Sequence, residues 1–152
     1  MPALTGQLDP DDALVGVLIG ISRTRAQQLR SAYRAVPAAV QLTAVLDTGA
    51  ECTCVDGQVI ASLTLPVAGI GFVNAPALTG LTAAAQFDAS LTILDPSGNA
   101  SDNLLVGDLL IADQPLGKVS YLVLLGRDVL ALCSICTQGD PALSPRRIDG
   151  CA

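Results

Sequence analysis

Residues 42–56, LTAVLDTGAECTCVD, carry the feature that decides how this chain folds. An apolar strand runs up to Asp47, a Thr-Gly turn follows, and the chain continues as an alternating segment with two cysteines. Taken alone, these residues fit three interpretations: an Asp-led turn between two strands, a Cys-x-Cys metal site, or the catalytic loop of a protease. The choice among them depends on the rest of the chain.

The composition of the chain excludes several classes of function. It has 152 residues, of which 51% are hydrophobic but only 3% aromatic, so the core is expected to consist of Leu, Val, Ile and Ala. There is no histidine, which excludes Ser-His-Asp catalysis, Cys-His catalysis and any His-ligated metal. Acid-base chemistry is therefore left to carboxylates. A formal charge of −6 argues against nucleic acid as a partner.

The N-terminal region gives no targeting signal. Residues 1–12 are rich in Pro and Asp and are predicted to form a flexible arm, followed by a single domain over residues 13–152. The start lacks the basic and apolar regions of a signal peptide, and the apolar runs are too short to span a bilayer, so no membrane partner is expected. The five cysteines, an odd number, are predicted to be reduced thiols of a cytoplasmic protein.

Most of the chain has the pattern of short strands separated by Gly and Pro turns. Two short helices are predicted, over 22–35 with Ser22 as cap and Pro37 as terminator, and over 127–133; residues 57–66 fit a helical turn or an irregular bridge. The pattern favours an all-β domain with a closed or orthogonally packed barrel. The predicted strands cover 14–21, 39–47, 51–56, 69–75, 81–95, 103–113 and 117–126, with a possible last strand after Cys133.

A second motif lies about 75 residues after the Asp-Thr-Gly turn: YLVLLGRDVL, residues 121–130. In this order and at this distance, LDTGA and LLGRDVL closely resemble the retropepsin family of aspartic proteases, in particular its bacterial single-lobe members. The resemblance covers the chain from about Leu14 to Cys136. It implies a small closed β-barrel of acid-protease type with one or two short helices, a β-hairpin flap and an active site at a dimer interface.

The resemblance also implies roles for individual residues. The catalytic aspartate of the family corresponds to Asp47, and Thr48, Gly49 and Ala50 form the supporting loop, with Thr48 bonding to the partner's loop and Gly49 facing substrate. Arg127 is expected to pair with Glu51, and Thr53 with Asp128. The walls of the substrate subsites are expected from Val45, Gly49, Cys52, Cys54, Leu122 and Leu124.

The chain has one Asp-Thr-Gly turn and no second aspartate motif. One carboxylate cannot act as acid and base in the same step, so the site requires Asp47 from two subunits of a homodimer. Such a pair would activate a water molecule against a peptide bond of a peptide or protein substrate. No metal or cofactor is required.

Two glycine-containing segments are candidates for the tip of the flap. With a tip at 68–71, Pro66 would interrupt the leading strand, whereas a tip at 76–80 leaves both arms intact. We therefore expect the tip in the second segment, which consists of Pro76, Ala77, Leu78, Thr79 and Gly80.

Other interpretations stay open. Cys52-x-Cys54 together with Cys133-x-x-Cys136 could formally ligate zinc, but no knuckle turn follows the first pair, so buried or pocket-wall roles are favoured. A thiol near the dyad could make the protein sensitive to oxidation. A catalytically inactive module, used for peptide binding by strand addition or for dimerisation, is the main alternative to a protease.

Overall fold

The computed structural model describes residues 3–4, 7–8, 13–74, 81–116 and 121–135. Three α-helices occur in this part of the chain: α1 (Arg23–Ser31), α2 (Gly57–Ser62) and α3 (Arg127–Leu130), with a 3-10 turn at Ala100–Asp102. The described strands are β1 (Ala3–Leu4), β2 (Gln7–Leu8), β3 (Ala13–Ile21), β4 (Val40–Leu46), β5 (Cys54–Val55), β6 (Val67–Asn74), β7 (Leu81–Ile93), β8 (Leu104–Asp113), β9 (Val123–Leu125) and β10 (Ser134–Ile135).

Six strands close into a barrel in the order β3-β4-β9-β5-β8-β7, because β7 also pairs with β3. The closing pairs run from Val17 opposite Ile93 to Ile21 opposite Ala89. Strand β2 extends the sheet beyond β3, and β6 extends it beyond β7; β1 and β10 form a separate parallel pair. The predicted all-β fold with a closed barrel and few short helices is confirmed. The separate arm over residues 1–12 stays a prediction.

Aliphatic side chains fill the barrel, as the low aromatic content predicts. Strand β3 alternates, so Val15, Val17 and Ile19 point inward and are buried. From the other strands, Leu91, Ile111 and Leu125 are fully buried against them. Burial of apolar area on this scale is the main stabilising term of the fold.

The pairing of β4 with β9 brings the two sequence motifs together. The strands are parallel, with Ala44, Val45 and Leu46 opposite Val123, Leu124 and Leu125. Their carboxyl ends therefore lie side by side, and the Asp-Thr-Gly turn that follows β4 reaches the Gly-Arg-Asp segment that follows β9.

Helix α1 lies at the predicted place but ends earlier than predicted. Its start is capped by Ser22, whose Oγ accepts a hydrogen bond from the Arg25 backbone N at 3.2 Å. It ends at Ser31 and not near Pro37, because Tyr33 adopts the left-handed region at φ 53° and the Arg34 N bonds back to the Leu29 carbonyl at 2.8 Å. This closure resembles a Schellman motif with tyrosine at the position that favours glycine.

One carboxylate fixes α1 on the barrel. Asp108 accepts a hydrogen bond from the Thr24 backbone N at 3.0 Å and lies 3.3 Å from the Arg23 guanidinium. The donation from Thr24, followed by the charge of Arg23, holds the pKa of Asp108 below its usual range. The pair sits on the surface, so we assign it an orienting role and little stabilisation.

Several predicted strands are shorter in the structure. Of residues 51–56 only Cys54–Val55 is a strand: the Thr53 N donates to the Asp128 side chain, and only the Thr53 carbonyl bonds to a neighbouring strand, accepting from the Ala112 N of β8 at 3.0 Å. Of residues 117–126 only Val123–Leu125 is a strand, and residues 117–120 lie outside the described part. Residues 57–62 form α2, which Asp56 caps by accepting a hydrogen bond from the Gln58 N at 3.0 Å.

Strands β6 and β7 form the predicted hairpin, paired from Val67 opposite Phe87 to Asn74 opposite Leu81. Residues 68–71 lie inside β6, so they are not its tip. The preferred tip, residues 76–80, and Cys136 of the second cysteine pair lie outside the described residues.

No helix in the described ranges is long and apolar enough to cross a membrane.

Gly126 allows the two motif loops to touch. A β-carbon built on it would overlap the backbone of Cys52, including the carbonyl carbon and oxygen. Its φ of −89° is accessible to any residue, so the requirement at this position is for space and not for backbone freedom.

We expect Gly126→Ala to lower the free energy of unfolding by about 1–3 kcal/mol, because the loops must separate to admit the methyl group. Urea denaturation measures this. The control is Gly16→Ala, whose added β-carbon would meet Leu94 Cδ1 at an ordinary 3.6 Å. If the two substitutions lower the free energy of unfolding equally, the close contact between Gly126 and the Cys52 backbone is contradicted.

Candidate active site

The Asp47 turn is held from its own backbone and from β9. The Asp47 N donates to the Leu125 carbonyl at 3.0 Å, and the Ala50 N donates to the Asp47 carbonyl at 3.3 Å. The Gly49 N donates to Asp47 Oδ1 at 2.8 Å. The half-buried carboxylate thus has one oxygen oriented by a backbone donor, and within the described ranges no side chain hydrogen-bonds to it. Thr48 is exposed at the turn.

Thr53 and Asp128 form the main polar connection between the two motifs. Thr53 Oγ1 donates to Asp128 Oδ1 at 2.8 Å, and the Thr53 N donates to Asp128 Oδ2 at 2.9 Å. Thr53 is fully buried, and its hydroxyl also accepts from the Gly126 N at 3.2 Å. The Val129 N donates to Asp128 Oδ1 at 2.9 Å, which ties α3 to the same carboxylate. The structure therefore brings together the two residues that were expected to pair.

Glu51 and Arg127 also lie together, with Glu51 Oε1 3.3 Å from Arg127 Nη2. Their side chains are 86% and 59% exposed, so the pair contributes at most about 1 kcal/mol. The Arg127 backbone N also donates to the Ala50 carbonyl at 2.9 Å. The backbone contact fixes the loop more firmly than the exposed ion pair does.

A small apolar cluster lies apart from the barrel core. We call it the cysteine cluster; it contains Cys54, Val73, Ala84 and Ala112, which are buried, with Cys52 and Leu124 packed against them half-buried. The cluster thus joins β5, β6, β7, β8 and β9 on one side of the sheet.

Three of the predicted wall residues, Cys52, Cys54 and Leu124, belong to this cluster. Leu122 packs instead against the barrel core. Val45 is buried opposite Leu124 in the pairing of β4 and β9 but belongs to neither cluster. The sequence analysis missed Val73, Ala84 and Ala112, which sit on strands whose alternation was visible but whose register was not.

Burial raises the pKa of the Cys54 thiol to about 12, and the neighbouring Cys52 adds to the effect. Burial also raises the pKa of Cys52, with Asp128 and Glu51 contributing. Cys54 Sγ lies 3.6 Å from the Cys52 carbonyl oxygen as a weak donor. Burial thus disfavours the thiolate form of both cysteines, which is the form that reacts as a nucleophile. In the ranges that the structure describes, no group of three metal-ligating side chains occurs.

No protein-family model and no curated protein matches the chain. Among solved structures, the chain is similar to the EIAV protease complexed with the inhibitor HBY-793, with 19% sequence identity and a TM-score of 0.43. That similarity covers 88% of this chain and 100% of the EIAV chain. A likeness at this level carries no functional conclusion.

We expect Thr53→Val to lower the free energy of unfolding by about 1–3 kcal/mol, because Asp128 loses one donor and the buried Gly126 N loses its acceptor. Thermal and urea unfolding measure the change. The matched control is Thr43→Val, which makes the same replacement at an exposed position of β4. If both variants unfold alike, the Thr53–Asp128 connection is not stabilising.

The thiol of Cys54 should resist alkylation in the folded protein, because at pH 8 it forms about a thousandfold less thiolate than an ordinary cysteine. Peptide mapping after an iodoacetamide pulse tests this, with the urea-unfolded chain as control. Since the folded thiol stays protonated where the unfolded thiol ionises, its contribution to stability is complete below pH 9 and is lost as the pH rises towards about 12. Rapid labelling of Cys54 in the native protein would contradict its burial.

Proposed function

We propose that this chain is an aspartic endopeptidase of the retropepsin type, with a catalytic dyad formed by Asp47 from each subunit of a homodimer. The observation that carries the proposal is the geometry of Asp47, a carboxylate that follows the buried end of β4 and is oriented by the Gly49 N at 2.8 Å. The second motif supports the turn, because the Leu125 carbonyl accepts a hydrogen bond from the Asp47 N. The cysteine cluster lies nearby.

The proposed mechanism uses carboxylates alone. Two Asp47 carboxylates within hydrogen-bonding distance share one proton, since both cannot ionise. The unprotonated member removes a proton from water, and the resulting oxygen attacks the peptide carbonyl carbon. The protonated member donates to the carbonyl oxygen, which gives a tetrahedral gem-diol. The C–N bond then breaks as the member that took the water proton gives it to the leaving amine, and a gem-diol hydroxyl returns one proton to the dyad. Each chain supplies one half of this chemistry.

The Gly49 N–H supports this use of Asp47. A β-carbon at Gly49 would lie 3.1 Å from Asp47 Oδ1, so a side chain there would crowd the carboxylate. With glycine, the loop can approach Oδ1 closely enough to donate its N–H, and we propose that the other carboxylate oxygen, Oδ2, faces the second copy. The exposed Thr48 lies on the same turn, where we propose that it bonds to the partner's loop.

The cysteine cluster supports a preference for apolar residues next to the cleaved bond. Its members are small or medium-sized and uncharged, and Cys52 and Leu124 keep part of their surface accessible. A charged side chain placed there would lose its hydration without a partner. We therefore propose that Cys52, Cys54 and Leu124 form walls of the substrate subsites. Separately, we propose that the protein acts in the cytoplasm.

Asp47→Asn should abolish cleavage of a mixed peptide library between pH 3 and pH 8, because the dyad loses its ionisable pair while the shape is kept. Product peptides are identified by mass spectrometry. The control, Asp88→Asn, makes the same change at an exposed position of β7 and should leave cleavage intact.

Activity per chain should fall on dilution, since monomers lack the second carboxylate. Equal cleavage by wild type and Asp47→Asn, or activity of a protein that sediments as a monomer, would rule out the proposed dyad. Absence of cleavage by a correctly folded dimer at every pH would favour the peptide-binding module.

A further inference from the structure

A cavity of about 710 Å³ lies between the β6–β7 hairpin and the start of α2, and it adjoins the cysteine cluster through Ala84. We call it the hairpin groove. Its volume falls within the range of roughly 300–1,000 Å³ that is typical of binding sites for small ligands. The lining residues are Asp56, Gly57, Gln58, Ala83, Ala84, Ala85, Asp113 and Pro115.

The floor of the groove is formed by β7. The floor residues lie on the same face of this strand as the residues that point into the barrel. Side chains alternate along this strand, so Ala83 and Ala85 share a face with Phe87, which is buried in the core. Ala84 points the other way, into the cysteine cluster. Because Ala84 also lines the groove, the groove adjoins the cysteine cluster at this strand and opens mainly on the face of Ala83 and Ala85.

One side of the groove is apolar and open. Ile70 pairs with Ala85 and Phe72 with Ala83, and paired residues of antiparallel strands point to the same face. Ile70 is 73% exposed and Phe72 is 70% exposed. Two large apolar side chains thus flank the alanine floor on an edge strand that has no charged residue from Val67 to Asn74.

The other side of the groove is acidic. Asp113 is half-buried, and no hydrogen bond or ion pair to its carboxylate occurs within the described ranges. A β-carbon at Gly57 would lie only 3.0 Å from Asp113 Oδ1, so the glycine keeps that carboxylate accessible. Asp56 is buried, and each of its two carboxylate oxygens already accepts one hydrogen bond, from the Gln58 N and the Leu116 N. No Arg or Lys of the described residues lines the groove.

From this arrangement we propose that the hairpin groove binds a basic, apolar peptide segment of a partner protein, with an Arg or Lys on Asp113 and an aliphatic side chain against Phe72. A guanidinium or ammonium group meets the accessible carboxylate as a charge-assisted donor. The small alanines leave room for the backbone of the segment between Asp113 and the apolar side chains of β6. An acidic segment is disfavoured by both aspartates.

Fluorescence anisotropy tests the proposal with a labelled Ser-Ile-Arg-Leu-Arg-Ser peptide as probe and Ser-Ile-Glu-Leu-Glu-Ser as its acidic counterpart. The protein is Asp47→Asn in the full chain, so the result does not depend on peptidase activity. We expect the basic probe alone to bind, with an affinity that falls as salt is raised. Equal binding of both peptides would overturn the charge assignment.

Asp113→Asn should weaken binding of the basic probe about tenfold, since one charge-assisted contact is lost. Asp88→Asn is the matched control, because it removes the same charge from an exposed residue on the opposite face of β7. Ala83→Arg, at an exposed position, should block binding by supplying a cation in the groove. Unchanged binding in Asp113→Asn and Ala83→Arg would overturn the site.

The chain's own Arg146 and Arg147 provide a further outcome. If the probe binds only after residues 139–152 are removed, the occupant is the tail of this chain and a partner segment is the wrong assignment. If it binds the full chain and the shortened chain alike, the partner assignment stands.

Discussion

The candidate site depends on the hydrogen bonds that the carboxylate of Asp128 accepts. It accepts from both donors of Thr53 and from the Val129 N, and so joins segments that are 75 residues apart in sequence. These bonds lie in a partly buried setting, where losing one leaves a donor or acceptor unsatisfied. The exposed Glu51–Arg127 ion pair joins the same two segments but adds little stability. The position of Asp47 depends on this connection between the two motifs, because the Asp47 N donates to the Leu125 carbonyl of β9, the strand that leads into the Asp128 segment.

A chain without histidine must orient its acids by other means, and here the backbone does so. The donor to Asp47 is the Gly49 N, the donors to Asp56 are the Gln58 and Leu116 N–H groups, and Thr24 serves Asp108 in the same way. Backbone donors do not change charge with pH, so the orientation of these carboxylates does not depend on a second titrating side chain. Asp113 differs from them, since its carboxylate has no such donor in the described part of the chain.

Local sequence signals predicted the elements of the fold well. Alternation placed the strands, Ser22 identified the start of α1, and the two motifs indicated a barrel with a paired loop. Where the predicted ends of strands and helices were wrong, tertiary contacts set the observed ends. The segment around Thr53 leaves the strand conformation because its donors find Asp128, and α1 ends at Tyr33 because a left-handed residue closes it. The cysteine cluster and the hairpin groove arise from register between strands, which no single segment encodes.

The pairing of β3 with β7 has a consequence for how the chain reaches its fold. It joins residues 17–21 to residues 89–93, so the barrel cannot close until residue 93 has been synthesised. Contacts of such sequence separation form slowly, because the intervening loop loses entropy before the contacts compensate for it. Until then β3 presents an unpaired, strongly apolar edge. The nascent chain is therefore most prone to aggregation during the interval before β7 emerges.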